Sequence, residues 1–286
     1  MQKRTSQLVA ECYSLAIAES QIVHVLDFRG DIGEFQGLFR HLHAAYRELN
    51  AIFEANGLAT MNITPSHVHM RGGVDGKYME FFTHKVLPFE MHDTTEVMWD
   101  HFKGVKKHIG HSSIYEKTAK VTTLEMPTFA SDGECLTNAL HEQDLDEPYT
   151  IVEDFTMAVH SNNARADVRV KQVVRRYVEK DRDIVIWVSS AVPIEVKHKI
   201  LHGLAYHFRG YTVIKRSPAS TADRELSELQ LCSLISLDQD PETVYDSDTI
   251  RALTHFLIVH GAQGIRAHRE LIENALVDRS LRHRLT

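Results

Sequence analysis

The stretch from 149 to 191 constrains the fold of this chain more than any other. In 149–160 the residues of one parity are Tyr149, Ile151, Glu153, Phe155, Met157 and Val159, and Glu153 alone is charged. A side-chain period of two marks a strand with one buried face. After Ser161-Asn162-Asn163 the alternation resumes over 167–179, where Val168, Val170, Gln172, Val174, Arg176 and Val178 share a parity. Lys180-Asp181-Arg182 then separates a third strand at 183–191, whose even positions are Ile184, Ile186, Val188 and Ser190. Three alternating runs joined by short polar breaks form an antiparallel meander. The turns are expected to bring the three sets onto one face.

A sheet with one apolar face needs a cover. The best candidate is a long helix over 247–276, with Leu257, Gly261, Gly264, Ile265, His268 and Ile272 along its inner stripe. Further strands are expected at 77–89, 211–216 and 229–237, with 217–228 as a polar hairpin loop. Asp93-Thr94 opens a helix that runs to about 109 and carries Val97, Met98, Trp99 and Phe102. A short helix is expected over 193–204, and a strand followed by an irregular acidic stretch over 111–148.

The N-terminal part has a different periodicity. Residues 5–27 and 33–55 both repeat apolar side chains at helical spacing, and Asn56-Gly57 stops the second run. This predicts a helical pair over 1–59, serving as a packing element or as a homodimer or partner contact. Pro65, Gly72, Gly73 and Gly76 mark 60–76 as a linker. The main domain is then 77–278. The fold class is α+β: a curved antiparallel sheet gripping a long C-terminal helix, preceded by the helical pair. The space between such a sheet and its helix can hold a ligand.

Four stretches carry a family resemblance. They are Asp93-Thr94-Thr95-Glu96-Val97-Met98-Trp99; 170–182, from Val170 through Arg176-Tyr177-Val178 to Arg182; Gly210-Tyr211-Thr212-Val213-Ile214; and Leu253-Thr254-His255-Phe256 with Leu271-Ile272-Glu273-Asn274. Through them the chain resembles the START-like domains of the helix-grip superfamily, close to the START-like and mating-specific protein group of filamentous eukaryotic microbes. The resemblance spans about 77–276 and rests on structural signatures. It implies binding of a lipid or other hydrophobic small molecule in the sheet–helix cavity, without catalysis and without a cofactor.

Composition narrows the partners. The 286 residues carry a formal charge of −7 and lack a basic tail, which argues against nucleic acid. Cys12, Cys135 and Cys232 form no paired framework, so a reducing, cytoplasmic setting is expected. No secretory h-region or membrane-length apolar run is present, leaving at most transient membrane contact. Arg169, Lys171 and Arg175 alternate along one strand and are expected to face solvent.

The polar intrusions on the apolar face define the candidate site. Glu153 is expected opposite Val174, diagonal to Gln172 and Arg176. A buried charge needs a partner, so a Glu153–Arg176 ion pair that meets a ligand head group is expected. Phe155, Met157, Val174, Ile186, Trp99, Leu257, Gly261 and Gly264 complete the expected lining. The two glycines leave room for a ligand, permit a kink, or allow close packing.

Motifs for chemistry fail on inspection. Glu195, His198 and His202 would share a helix face, but a His-x-x-x-His pair alone lacks the metalloprotease glutamate, so no metal is expected. Gly72-Val74-Gly76-Lys77 misses phosphate-loop spacing, and Ile114 replaces the second glycine of a nucleophile elbow. Two rival readings stay open. One is a protein-interaction module built on the fold. The other is a catalytic cyclase or hydrolase of the same superfamily, using Glu153 or a histidine as acid–base.

Overall fold

The computed structural model describes residues 28–60, 67–73, 76–103, 115–118, 149–161, 164–196, 199–200, 204–239 and 247–283. In chain order these form α1 (Phe28–Ala55), β1 (His67–Gly73), β2 (Gly76–Leu87), α2 (Met91–Phe102), β3 (Tyr115–Thr118), β4 (Thr150–Ser161), β5 (Ala164–Val178), β6 (Arg182–Val196), β7 (Lys199–Ile200), β8 (Leu204–Arg216), β9 (Ser227–Gln239) and α3 (Ser247–His283). The chain is α+β. A nine-stranded antiparallel sheet runs β1-β2-β9-β8-β6-β5-β4-β3, and β7 pairs with β6.

Each face of the sheet is covered. On one side lies α1, whose Phe35, Leu38, Phe39, Leu42, Leu49 and Phe53 recur at helical spacing and are buried against Val173, Ile184, Ile186, Tyr211 and Val213. Gly57 ends this helix with φ 83°, a conformation that costs glycine little. The following turn is tied to the sheet. Asn56 Nδ2 donates to Glu80 Oε1 at 3.1 Å, and Gln230 Nε2 donates to the Leu58 carbonyl at 2.7 Å.

On the other side lie α2 and α3. Val97, Met98 and Trp99 of α2 and Leu257, Ile265, Ile272 and Leu276 of α3 join Phe81, Val174, Val185, Trp187, Leu231 and Ile235 in a second apolar layer. Fully burying side chains of this size contributes about 1.5–3 kcal/mol each before entropy is counted. Lys85 Nζ meets Glu273 at 2.6 Å and Arg279 meets Asp93 at 3.3 Å, so ion pairs link α3 to β2 and to α2.

Several expectations change. The first predicted helix, 5–27, lies outside the described residues. The second, α1, starts at Phe28, and its apolar stripe is buried on the sheet. It is therefore a packing element along that stripe. Within the expected linker, residues 67–73 form β1 and pair with β2 from His67↔Phe82 to Gly73↔Gly76. The short helix over 193–204 is absent: β6 continues to Val196, β7 follows, and β8 begins at Leu204. Pro193 suggested a helix start, but it sits beside a β-bulge. Val168 pairs with Pro193 and Asp167 with Glu195, leaving Ile194 as the extra residue.

Arg169, Lys171 and Arg175 do not share a solvated face. Arg169 pairs with Asp154, while Lys171 and Arg175 are buried over the rings of Phe35 and Phe39. The long aliphatic stems of such side chains pack well beneath a helix. Arg175 Nε also donates to Thr150 Oγ1 at 2.9 Å.

Candidate functional site

The α2–α3 face of the sheet carries the residues singled out from sequence. Its parity follows from the hairpin connections. Ile151 pairs with Val174 and Glu153 with Gln172, so the selected sets of β4 and β5 share a face as expected. Glu153 nevertheless lies directly opposite Gln172, not Val174. In the next hairpin Val178 pairs with Asp183 across four residues, which matches even positions of β5 with odd positions of β6. The face therefore continues through Asp183, Val185, Trp187, Ser189 and Ala191. Ile186 points the other way, into the layer against α1.

Trp187 sits at the centre of an aromatic cluster. Its ring centroid is 5.2 Å from that of Phe102, 5.5 Å from that of His268 and 6.1 Å from that of Phe208. His268 also stacks on His101 at 4.7 Å. The cluster thus joins α2, α3, β6 and β8. Trp187 pairs across the strands with Val174 on one side and Gly210 on the other. A Cβ at Gly210 would overlap the indole, so the ring rests on the glycine backbone.

The two helical glycines play different parts. A Cβ at Gly261 would lie 2.6 Å from the Phe81 ring, so Gly261 is there for close packing of α3 on β2. Among the described residues no neighbouring atom lies within 4 Å of the corresponding point at Gly264, which is half-buried one turn before His268. Leu257 is fully buried on this face, and Trp99 is 4% exposed. Phe155 packs against the same layer. Met157 pairs with Val168 in the backbone, and its side chain lies outside the described residues.

The expected Glu153–Arg176 ion pair is replaced by two separate arrangements. Gln172 Nε2 donates to Glu153 Oε2 at 2.9 Å. Arg176 instead forks onto Asp183, donating from Nε at 3.1 Å and Nη2 at 3.0 Å, and Nη2 also reaches Glu96 Oε1 at 3.1 Å. The Arg176 and Asp183 side chains are only 8% and 4% exposed. Burial opposes the Arg176 charge, yet hydrogen bonds and attraction from Asp183 and then Glu96 hold the guanidinium above its ordinary value. It stays charged. Arg176 also covers the Tyr149 ring at 5.2 Å, and Tyr149 meets Trp99 edge-on at 6.0 Å. Tyr149 takes φ 70°, an uncommon conformation for a non-glycine residue.

Among the described residues, three buried hydroxyls on or against this face have no hydrogen-bond partner: Thr95 Oγ1, Tyr206 Oη and Thr212 Oγ1. Burial alone pushes the Tyr206 phenol far above its ordinary value. It is a neutral donor at any physiological pH. Sequence reasoning missed Trp187, Gly210, Phe208, Tyr206, Asp183 and Glu96. The four-residue count between Val178 and Asp183 was the signal for the β6 residues. Glu195, which a helix would have aligned with His198 and His202, lies on β6; the two histidines are outside the described residues. Among the described residues no cluster of three metal-ligating side chains occurs, and no helix is long and apolar enough to cross a membrane.

Compared with known proteins, the chain matches no family model and no curated protein.

Proposed function

We propose that this chain is a START-like, helix-grip protein that binds an apolar small molecule between the sheet and α3, without catalysing a reaction. The observation that supports the reading is the aromatic lining between the sheet and α3, where His268 meets the Trp187–Phe102–Phe208 cluster one turn from the half-buried Gly264. An α-helix that keeps a glycine facing no neighbour gives up about 1 kcal/mol of helix propensity. Removing ligand surface from water there would contribute about 25 cal/mol per Å².

The four sequence stretches that resemble START-like domains fall on α2, the β5–β6 hairpin, β8 and α3, elements that all contribute to the same apolar layer. A protein-interaction role through α1 has less support, since the apolar stripe of that helix is already buried on the sheet. A reducing, cytoplasmic setting suits the reading.

Native mass spectrometry of the full chain, purified from a lipid-containing host and followed by organic extraction, tests it. A stoichiometric apolar molecule that leaves on extraction is the expected result. A clean apo mass, with no uptake from a broad lipid panel, would overturn the reading.

A further inference from the structure

Two neighbouring threonines of α2 are buried in different ways. Thr94 is fully buried and Thr95 nearly so. Thr94 Oγ1 shares a hydrogen bond of 2.8 Å with Ser227 Oγ, at the start of β9. Among the described residues, Thr95 Oγ1 has no partner, and neither has Thr212 Oγ1 on β8. Thr212 stands in one row across the sheet with Val185 and Arg176, the arginine that Glu96 of α2 reaches. The helix packs on β8 and β9, so both orphaned hydroxyls belong to the α2 side of the apolar layer. Burying a hydroxyl without a partner is unfavourable, and exposure to water removes that cost.

The ties that hold α2 are unevenly placed. At its N-terminal end Met91 N donates to Glu225 Oε1 at 3.1 Å, Asp93 pairs with Arg279 at 3.3 Å, and Thr94 is held by Ser227. Beyond Thr94, Glu96 reaches Arg176, and this tie is expendable. Asp183 already forks onto the same guanidinium, so lifting α2 leaves the buried charge paired. Twelve residues are too few to hold a helix alone, so α2 depends on Val97, Met98 and Trp99 in the apolar layer. The 37-residue α3 is held more firmly, with Leu257, Ile265, Ile272 and Leu276 buried and Glu273 tied to Lys85.

Resting on the function proposed above, we infer that α2 is a lid. It pivots at its N-terminal ties, opens while the sheet and α3 stay folded, and admits the apolar molecule. Opening hydrates Thr95 and Thr212 and spares the Arg176–Asp183 pair. It also uncovers Trp187, against which Phe102 rests at the far end of α2. The apolar side chains of α2 close it again. Such local openings lie below global unfolding in free energy.

Native-state hydrogen exchange of the full chain tests the opening without any ligand. The amides of α2 should exchange at least about tenfold faster than those of β5, β6 and α3. Thr95→Val keeps the shape and removes an orphaned hydroxyl, so it should slow α2 exchange about tenfold, and Thr212→Val should act alike. Thr94→Val strands Ser227 and should speed it by a similar factor. Stopped-flow uptake of N-phenyl-1-naphthylamine, an uncharged dye that brightens in apolar sites, should slow and quicken in the same order. Protection of α2 equal to that of β5 and β6 overturns the lid and spares the apolar site. So does exchange that Thr95→Val and Thr212→Val leave unchanged or faster. Uptake rates that do not follow the exchange order overturn its role in entry. A dye that never brightens at saturation overturns the function proposed above and the entry role with it, while exchange still reports the opening.

Discussion

The indole of Trp187 rests on the backbone of Gly210, its cross-strand partner between β6 and β8. An aromatic ring covering a glycine in this way supplies the contacts the missing side chain cannot. It also fixes the ring against Phe102 and His268, so a sheet residue sets the geometry between α2 and α3. Gly210→Ala should therefore destabilise the fold by about 1–3 kcal/mol, as overpacking does. The displaced indole should also change its fluorescence. Thermal unfolding and emission spectra in a Trp99→Phe background check this. An unchanged Tm with an unchanged spectrum would show that the ring does not depend on Gly210.

Gly261 and Gly264 should respond to alanine with opposite signs. At Gly261 the added methyl meets the Phe81 ring at 2.6 Å and Ile235 Cδ1 at 3.1 Å. The loss there is expected to be about 1–3 kcal/mol. At Gly264 the methyl meets nothing, so the variant should gain up to about 1 kcal/mol from helix propensity alone. Paired denaturant titrations decide it. A larger side chain, Gly264→Met, should also lower lipid uptake in native mass spectrometry while leaving the fold intact. Equal losses for both alanine variants would mean that the space at Gly264 is filled.

Arg176 shows how a buried charge can be read correctly and partnered wrongly. Its removal leaves Asp183, 4% exposed, without a counter-ion. Breaking such a pair from one side costs about 3–5 kcal/mol. Arg176→Met should reach that range by chemical denaturation, and Arg176→Met with Asp183→Leu should recover much of it. If the double variant is no more stable than the single, the carboxyl group is not the source of the loss.

That pair also marks the limit of what the sequence could reveal. Alternation in 149–178 placed Glu153, Phe155, Gln172, Val174 and Arg176 on one face, because the register error across the first turn was two residues, which leaves the parity unchanged. Crossing to β6 needs the parity of the turn. Counting the even positions onto the same face sent Ile186 to the site and hid Trp187 and Asp183. Glu96 and Gly210 are further still from the motif, since only the packing of α2 and β8 brings them near. The basic residues Lys171 and Arg175 looked solvated because nothing local says that α1 crosses above them. Pro193 resembled a helix start, while the bulge that accommodates it depends on pairing with β5.

His84 gives the fold a pH dependence of calculable sign. Its side chain is fully buried on the α1 face of β2. Facing it, Glu228 Oε2 lies 3.5 Å from Nε2, and Glu228 is itself held by Lys215 Nζ at 3.1 Å and by Ser217 Oγ at 3.2 Å. Burial depresses the His84 pKa below its ordinary value, and Glu228 offsets this only in part. The unfolded chain therefore takes up a proton near pH 6.5, before the folded one does. Stability from this residue is fully present above that pH and is lost as pH falls toward the folded value. The chain carries 19 histidines, so the comparison must be with a variant. Between pH 7.5 and 5.5, Tm of the native protein should fall more steeply than that of His84→Gln, by a few degrees at about 2–4 °C per kcal/mol. Parallel curves would show that His84 protonates equally well in the folded chain. A steeper fall in the variant would mean that Glu228 outweighs burial and that the imidazolium is stabilised in place.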